Sequence, residues 1–297
     1  MNGLLFPGQG SQAVGMGKEL YETLPAAKAL LDKADEVLGY SLKQLMFEGP
    51  QEQLTDTKYA QPAIYTCSAM YLEKVKADDL DFDYVAGHSL GEYDALLAAG
   101  IFDFETGLKL VAKRGEAMAA QNSKGTMAAV MGLNEKELSP LMVSGVVMAN
   151  LNSKTQIVIS GTEAAVDAVG EKLADREDIK FKKLRVSAAF HSPQMSEAAE
   201  VMKSVIESTE MRDPNCYVVS NVTGKPTMNL AEIKANLIAQ ITGQVRWCDT
   251  ILAMKEAGVG LLYEVGYGDV LKKLNKTITF RPKCVGVEIS KVGEGIN

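Results

Sequence analysis

The sequence is poor in the residues that build disulfide frameworks and zinc sites. Its 297 residues include two histidines and four cysteines, with no Cys-x-x-Cys pair. The cysteines are scattered over the chain, at Cys67, Cys216, Cys248 and Cys284. Such spacing is typical of reduced thiols in a cytosolic protein. We therefore expect neither a disulfide scaffold nor a bound metal.

Long apolar runs are also missing. No run approaches the roughly 18 residues needed to cross a bilayer, and the first eight residues lack the charged and apolar regions of a secretory signal. Hydrophobic residues make up 46% and charged residues 23% of the chain, as in ordinary globular proteins. We expect a cytoplasmic protein that does not enter membranes.

Positive charge is not in excess, because the chain has 31 basic and 38 acidic residues and a net charge of -7. This balance argues against nucleic-acid binding as the main task. Two segments, 180–185 and 270–287, nevertheless hold basic residues and no acidic ones. Asp269 and Glu288 flank the second segment. Their cations are Lys180, Lys182, Lys183 and Arg185, and Lys272, Lys273, Lys276, Arg281 and Lys283. They are either solvated faces or docking sites for an anionic partner.

Short apolar strands alternate with helical stretches over most of the chain. Strands are predicted at 4–6, 84–86, 217–220 and 261–265, which indicates a mostly parallel α/β sheet. Between them, strands at 126–132, 146–151, 156–161 and 181–187 and helices at 134–143 and 163–176 give the β-α-β-β-α-β order of a ferredoxin-like unit. We expect an α/β body of residues 1–124 and 191–297 with a small α+β insert at 125–190.

The sharpest local motif is Gly87-His88-Ser89-Leu90-Gly91, a G-x-S-x-G run between a predicted strand and a helix predicted at 92–99. This context is required for a nucleophile elbow, in which a tight turn presents the serine hydroxyl at a helix start. The alternative is a chance glycine-rich turn. We predict that Ser89 is a nucleophile.

A serine needs a base, and histidine is the usual one at neutral pH. His88 adjoins Ser89, and neighbouring side chains in an elbow point apart, so elimination leaves His191. The order of serine before histidine agrees with hydrolase-like α/β sites. The group that orients the imidazole is either an acid or a backbone carbonyl.

Arg114 falls within the apolar arc of a helix predicted at 104–118, between Leu110 and Met118. A guanidinium in that position needs a planar anionic partner, because an unpaired buried charge is costly. The partner is either an internal Asp or Glu or the carboxylate of a substrate.

The segment after the first strand formally fits G-x-G-x-x-G/A through Gly8, Gly10 and Ala13. A dinucleotide site is disfavoured, because no acidic residue ends a second strand about 20 residues later. The alternative is that the backbone N–H groups of Gln9 and Leu90 stabilise a developing oxyanion.

Taken together, these residues resemble the malonyl-CoA:acyl carrier protein acyltransferase family, which includes the fatty-acid enzyme and the discrete, trans-acting acyltransferases of polyketide synthases. The matching runs are Phe6-Pro7-Gly8-Gln9-Gly10-Ser11-Gln12, Gly87-His88-Ser89-Leu90-Gly91-Glu92-Tyr93, Arg114, Asn150-Leu151-Asn152-Ser153, 156–161, Phe190-His191-Ser192 and Glu264-Val265-Gly266. They span almost the whole chain and are specific as a set.

The resemblance implies an α/β-hydrolase-like body with a ferredoxin-like insert and a ping-pong transfer of malonyl through a Ser89 ester. It implies His191 as base, Gln9 and Leu90 as oxyanion donors, and the backbone carbonyl of Gln240 as the group that orients the histidine. Arg114 would hold the malonyl carboxylate. His88, Phe190 and Asn152 would line the substrate site.

The implied partners are malonyl-CoA and an acyl carrier protein that brings its own phosphopantetheine, so no cofactor is expected on this chain, which we expect to be a monomer. The run 102–107 resembles the trans-acting polyketide type, and the fatty-acid enzyme is the alternative. Two rivals remain, an acyl hydrolase on the same fold and a noncatalytic module that binds carrier proteins. Relatives of the hydrolase kind lack the arginine.

Overall fold

The computed structural model describes residues 1–122 and 124–287 of the chain. Ser123 and residues 288–297, the end of the predicted body, lie outside the described residues. Within the described part the strands are β1 (Asn2–Phe6), β2 (Tyr84–Gly87), β3 (Thr126–Met131), β4 (Val146–Ser153), β5 (Gln156–Gly161), β6 (Lys180–Lys183), β7 (Tyr217–Val219), β8 (Pro226–Thr227), β9 (Leu261–Glu264) and β10 (Lys283–Gly286).

The helices of the same described ranges precede and follow these strands. They are α1 (Lys18–Thr23), α2 (Pro25–Leu38), α3 (Leu42–Glu48), α4 (Gln51–Thr55), α5 (Thr57–Ala77), α6 (Gly91–Ala98), α7 (Phe104–Ala119), α8 (Glu135–Leu138), α9 (Glu163–Leu173), α10 (Ser196–Ser208), α11 (Leu230–Ala239), α12 (Trp247–Glu256) and α13 (Val270–Asn275). None of them has both the length and the apolar character needed to cross a membrane.

The larger sheet has the strand order β10-β9-β1-β2-β7-β8. All of its strand pairs are parallel except β7 with β8, which confirms the mostly parallel sheet predicted from the sequence. Leu4, Leu5 and Phe6 in β1 are fully buried. A parallel strand covered by helices on both faces has this continuous apolar character.

The smaller sheet is antiparallel and has the order β4-β5-β3-β6. Several predicted elements of this unit were too long, among them the helix predicted at 163–176, which ends at Leu173. The helix predicted at 134–143 ends at Leu138 and continues as a 3-10 turn that contains Pro140, because proline cannot donate the next helical hydrogen bond. The strand predicted at 181–187 ends at Lys183, because the chain then leaves the sheet to reach His191.

Alternating side chains of β3 give the smaller sheet two apolar faces. Met127 and Ala129 pack into the core shared with the larger sheet, whereas Ala128 and Val130 pack under α9. Backbone hydrogen bonds also join β4 to the loop before α12, since Val245 donates to Ala149 (2.8 Å) and accepts from Leu151 (2.8 Å). The two sheets therefore meet along a packed and hydrogen-bonded seam.

The carboxyl ends of the parallel strands meet at one edge of the larger sheet. Gln9 follows β1, Ser89 follows β2 and Asn221 follows β7. Ligands of open α/β sheets bind outside this edge, where the loops after neighbouring strands diverge. The fold thus assembles three distant segments of sequence around one cleft.

Candidate active site

Ser89 occupies a sharp turn between β2 and α6, with φ of 54°. A Cβ atom added to Gly87 would overlap the backbone of Gly91, so only glycine permits this close approach. Asn221 fixes the turn from the next strand: its Oδ1 accepts from the Ser89 N–H (2.8 Å) and its Nδ2 donates to the Gly87 carbonyl (2.6 Å). The strained backbone of an elbow is therefore held from two sides.

His191 lies beside the serine, with Nε2 2.7 Å from Ser89 Oγ. Its Nδ1 is 2.9 Å from the backbone carbonyl of Gln240. Because a carbonyl can only accept, Nδ1 carries the proton and Nε2 has its lone pair free for the serine hydroxyl. Of the two orienting groups left open by the sequence, the structure has the backbone carbonyl.

The imidazole of His191 is buried, with 3% of the residue exposed. Burial, together with the positive charge of Arg114, lowers the pKa of His191 to about 3. Both effects disfavour the imidazolium ion. The histidine is therefore neutral, and able to accept a proton, at and well below neutral pH.

The other histidine, His88, points away from Ser89. Its Nε2 is 2.9 Å from Asn152 Oδ1, and its ring packs against Trp247 with the centroids 5.3 Å apart. Burial lowers the pKa of His88. The contacts connect the elbow to β4 and α12.

Arg114 is buried in α7, with 1% of the residue exposed, and its guanidinium faces the serine. Its two terminal nitrogens donate to Gln61 Oε1 (2.8 Å) and Gln240 Oε1 (3.0 Å), and the second lies 3.3 Å from Ser89 Oγ. No carboxylate in the described ranges lies within 4.0 Å of it, and its Nε has no partner there. The guanidinium is thus held by neutral groups next to the serine and can accept an anion.

The side chain of Gln240 fills the space beneath the elbow. Its Nε2 donates to the Ser89 carbonyl (2.8 Å) and to Glu92 Oε2 (2.6 Å). Glu92 also accepts from the Asn221 N–H (3.3 Å) and is 1% exposed. Burial raises the pKa of Glu92 to about 7, against the opposing effect of these hydrogen bonds.

The backbone N–H groups of Gln9 and Leu90 face the same cleft. Both residues line it, and within residues 1–122 and 124–287 neither N–H has a hydrogen-bond acceptor. The Gln9 side chain is turned aside, where it donates to Thr57 Oγ1 (3.2 Å). Two free donors beside a serine hydroxyl can stabilise an oxyanion.

A cleft of about 730 Å³ opens above the serine, between the two sheets. Its apolar wall includes Met127, Val158, Leu184 and Val186, and Phe190 closes it near His191. Volumes of this size are typical of small-molecule sites. No group of His, Cys, Asp and Glu in the described part of the chain is arranged to hold a metal ion.

One residue from each basic segment lies at this cleft, Arg185 and Lys273. Two cations of these segments form ion pairs and are therefore less available to an anionic partner than the sequence suggested. Lys183 pairs with Asp167 (2.5 Å), and Lys273 itself pairs with Asp269 (2.7 Å). Arg185 is exposed and has no acidic partner within 4.0 Å among the described residues.

The site also includes Gln61, Glu92 and Asn221, which were not predicted from the sequence. Each is a polar residue buried in an apolar setting, and this is the signal that could have identified it as part of a site. Gln61 stands in the middle of an apolar helix beside Pro62, and Asn221 follows a buried strand. Spacing alone cannot show which distant side chain satisfies them.

The acyl transferase domain family matches residues 4–260 of the chain. A malonyl CoA-acyl carrier protein transacylase of Bacillus subtilis (strain 168) is 43% identical over 291 residues, covering 95% of this chain and 92% of the relative. The chain belongs to the malonyl-CoA:acyl carrier protein acyltransferase family. It is an enzyme of the acyltransferase class.

The relatives of this acyltransferase include one that is named for polyketide biosynthesis. A polyketide biosynthesis malonyl CoA-acyl carrier protein transacylase of the same Bacillus strain is 42% identical and covers 91% of this chain and 94% of its own length. The crystal structure of a malonyl-CoA:ACP transacylase from Synechocystis sp. PCC 6803 has a TM-score of 0.89 at 40% identity, with 96% of each chain covered. The fold and the family therefore agree.

Proposed function

We propose that this acyltransferase moves a malonyl group from CoA to the phosphopantetheine thiol of an acyl carrier protein through an ester on Ser89. The observation that carries the proposal is the buried Arg114 guanidinium 3.3 Å from Ser89 Oγ, with neutral partners only among the described residues. An acyl group that ends in a carboxylate would supply the missing anion. The relatives named for malonyl transfer support the same substrate.

In the first half-reaction Ser89 Oγ attacks the thioester carbonyl carbon while its proton passes to His191 Nε2. The oxyanion that forms accepts hydrogen bonds from the Gln9 and Leu90 N–H groups. The C–S bond then breaks, CoA leaves as the thiol with the proton from His191, and the malonyl ester remains.

The second half-reaction runs the same steps in reverse order with a new thiol. His191 takes the proton of the phosphopantetheine thiol, and the sulfur attacks the carbonyl carbon of the Ser89 ester. The C–O bond to Ser89 Oγ then breaks, and His191 returns the proton to that oxygen. Arg185 and Lys273 at the cleft would face the acidic surface of the carrier protein, where charge mainly accelerates encounter.

Arg114 would select malonyl over acetyl groups, because a site built to pair a polar group rejects analogues that lack it. Asn152 and His88 support the wall beside the acyl group by their mutual 2.9 Å hydrogen bond. The resemblance of residues 102–107 favours a discrete, trans-acting polyketide role, with fatty-acid synthesis as the alternative. A higher kcat/KM with a polyketide carrier protein than with a fatty-acid one would support this assignment, and the reverse would contradict it.

We also propose that the predicted body, residues 1–124 and 191–297 as far as the structure describes them, is α/β-hydrolase-like, and that residues 125–190 are a ferredoxin-like insert. The order β4-β5-β3-β6 of the smaller sheet, with α8 and α9, supports the insert. The monomeric state and the cytoplasmic location stay predictions.

Intact-protein mass spectrometry with malonyl-CoA tests the mechanism. We expect a malonyl adduct on Ser89 that disappears when carrier protein with its phosphopantetheine arm is added, and no adduct on Ser89→Ala. Free malonate as the main product with carrier protein present would indicate an acyl hydrolase. A wild-type enzyme that never carries the adduct would indicate a noncatalytic module.

A further inference from the structure

Glu92 is a buried carboxylate directly beneath the elbow that the acyl-transfer steps do not use. It lies in the first turn of α6 and is 1% exposed, so no water-exposed role explains it. One carboxylate oxygen accepts from the Asn221 N–H (3.3 Å) and the other from Gln240 Nε2 (2.6 Å). Burying a carboxylate is costly, so this one calls for an explanation.

The amide of Gln240 joins this carboxylate to Arg114. Its Nε2 donates both protons to acceptors, Glu92 Oε2 (2.6 Å) and the Ser89 carbonyl (2.8 Å). Its Oε1 must therefore face the guanidinium, 3.0 Å away. The reversed amide would place N–H groups against a cation and an oxygen against a carboxylate.

The opposite charges do not meet directly, since Glu92 and Arg114 form no ion pair within 4.0 Å in the described ranges. A direct pair would use the guanidinium that the substrate needs. The intervening amide instead holds the guanidinium in position, with its second terminal nitrogen 3.3 Å from Ser89 Oγ.

We propose that Glu92 is a positioning residue for substrate choice, which fixes the Gln240 amide so that Arg114 is held ready for the acyl carboxylate. This inference rests on the proposed malonyl transfer. It predicts that Glu92 affects loading of an acyl group with a carboxylate far more than loading of one without it.

The variant Glu92→Gln separates this role from simple packing, because it has nearly the same shape. A glutamine offers one acceptor where Glu92 uses two, so either the Asn221 or the Gln240 hydrogen bond is lost or Gln240 turns. In each case the hold on Arg114 weakens. We expect the ratio of malonyl to acetyl loading rates on Ser89, measured by quenched-flow mass spectrometry, to fall about tenfold.

Asp94→Asn is the matched control, since Asp94 is a fully buried carboxyl on the same helix whose oxygens bond to none of these residues. We expect it to leave the ratio unchanged. Gln240→Met keeps the backbone carbonyl that orients His191 and removes the amide. It should lower the ratio like Glu92→Gln, and the double variant should add no further fall.

Equal losses for both acyl groups in Glu92→Gln, or additive effects in the double variant, would overturn the proposal. If Glu92→Gln does not fold, as judged by circular dichroism, Gln240→Met decides alone, and an unchanged ratio there overturns it. Failure of the proposed function looks different, because the wild-type enzyme would then either not load malonyl or release it as free malonate with carrier protein present.

Discussion

The floor and the apolar wall of the cleft are built in opposite ways. The floor, defined by Ser89, His191, Gln240, Glu92 and Arg114, is a continuous network of hydrogen bonds between 2.6 and 3.3 Å. The wall, defined by Met127, Val158, Leu184 and Val186, comes from the smaller sheet and the segment after it, and it offers shape without polar contacts.

This difference indicates a division of labour. A network whose members orient one another is rigid, and rigid donors stabilise developing charge without reorganising. An apolar wall tolerates adjustment, which suits the proposed admission of CoA and of the carrier protein in turn. We therefore expect large effects from changes in the floor and small ones at the wall and its edge.

The largest effect should come from His191 in the floor, with His88 at its border as the comparison. His191→Ala removes the base and should slow Ser89 loading by at least about 10⁴-fold, as loss of a triad histidine does elsewhere. His88→Ala loses only the contacts to Asn152 and Trp247 and should cost far less. Stopped-flow release of CoA measures both, and equal losses would mean that His191 is not the base.

Arg114→Ala should have the next largest effect. Loss of a hydrogen-bonded charge pair costs about 2 to 3 kcal/mol, so the malonyl-to-acetyl ratio should fall roughly 100-fold. Lys113→Ala changes the neighbouring cation on α7, whose side chain is 48% exposed, and serves as control. If malonyl and acetyl loading fall equally, Arg114 is a structural residue and the floor does not select the substrate.

The sequence predicted the strands behind the wall and the turn at Ser89 better than it predicted the hydrogen bonds of the floor. The strand-turn-helix around Ser89 and the apolar face that carries Arg114 follow from local periodicity, and both are present. The contacts of Arg114 with Gln61 and Gln240 join residues 53 and 126 positions apart. Such pairs depend on how α5, α7 and α11 pack, which no local pattern contains.

Arg185, next to the wall residues Leu184 and Val186, should give a smaller effect. Arg185→Glu should raise KM for the carrier protein about threefold at low salt, and the difference should disappear at high salt because screening removes it. Lys203→Glu reverses a lysine on α10 outside the cleft and controls for net charge. An unchanged KM at low salt would remove Arg185 from the docking surface.

The smallest expected effect is that of pH on the floor. A histidine with the ordinary pKa of about 6.5 would lose roughly tenfold in its neutral fraction between pH 7.5 and 5.5. The pKa of His191 is lowered to about 3, so it stays neutral over this range, and acetyl loading should change less than about twofold. Glu92, with a pKa of about 7, becomes protonated in the same pH range and acts through Gln240 on Arg114. Because only an acyl group with a carboxylate contacts Arg114, acetyl-CoA reports on His191 without this second effect. A tenfold fall in acetyl loading over this pH range would mean that water reaches His191 in the working enzyme. The floor would then be less enclosed than the wall.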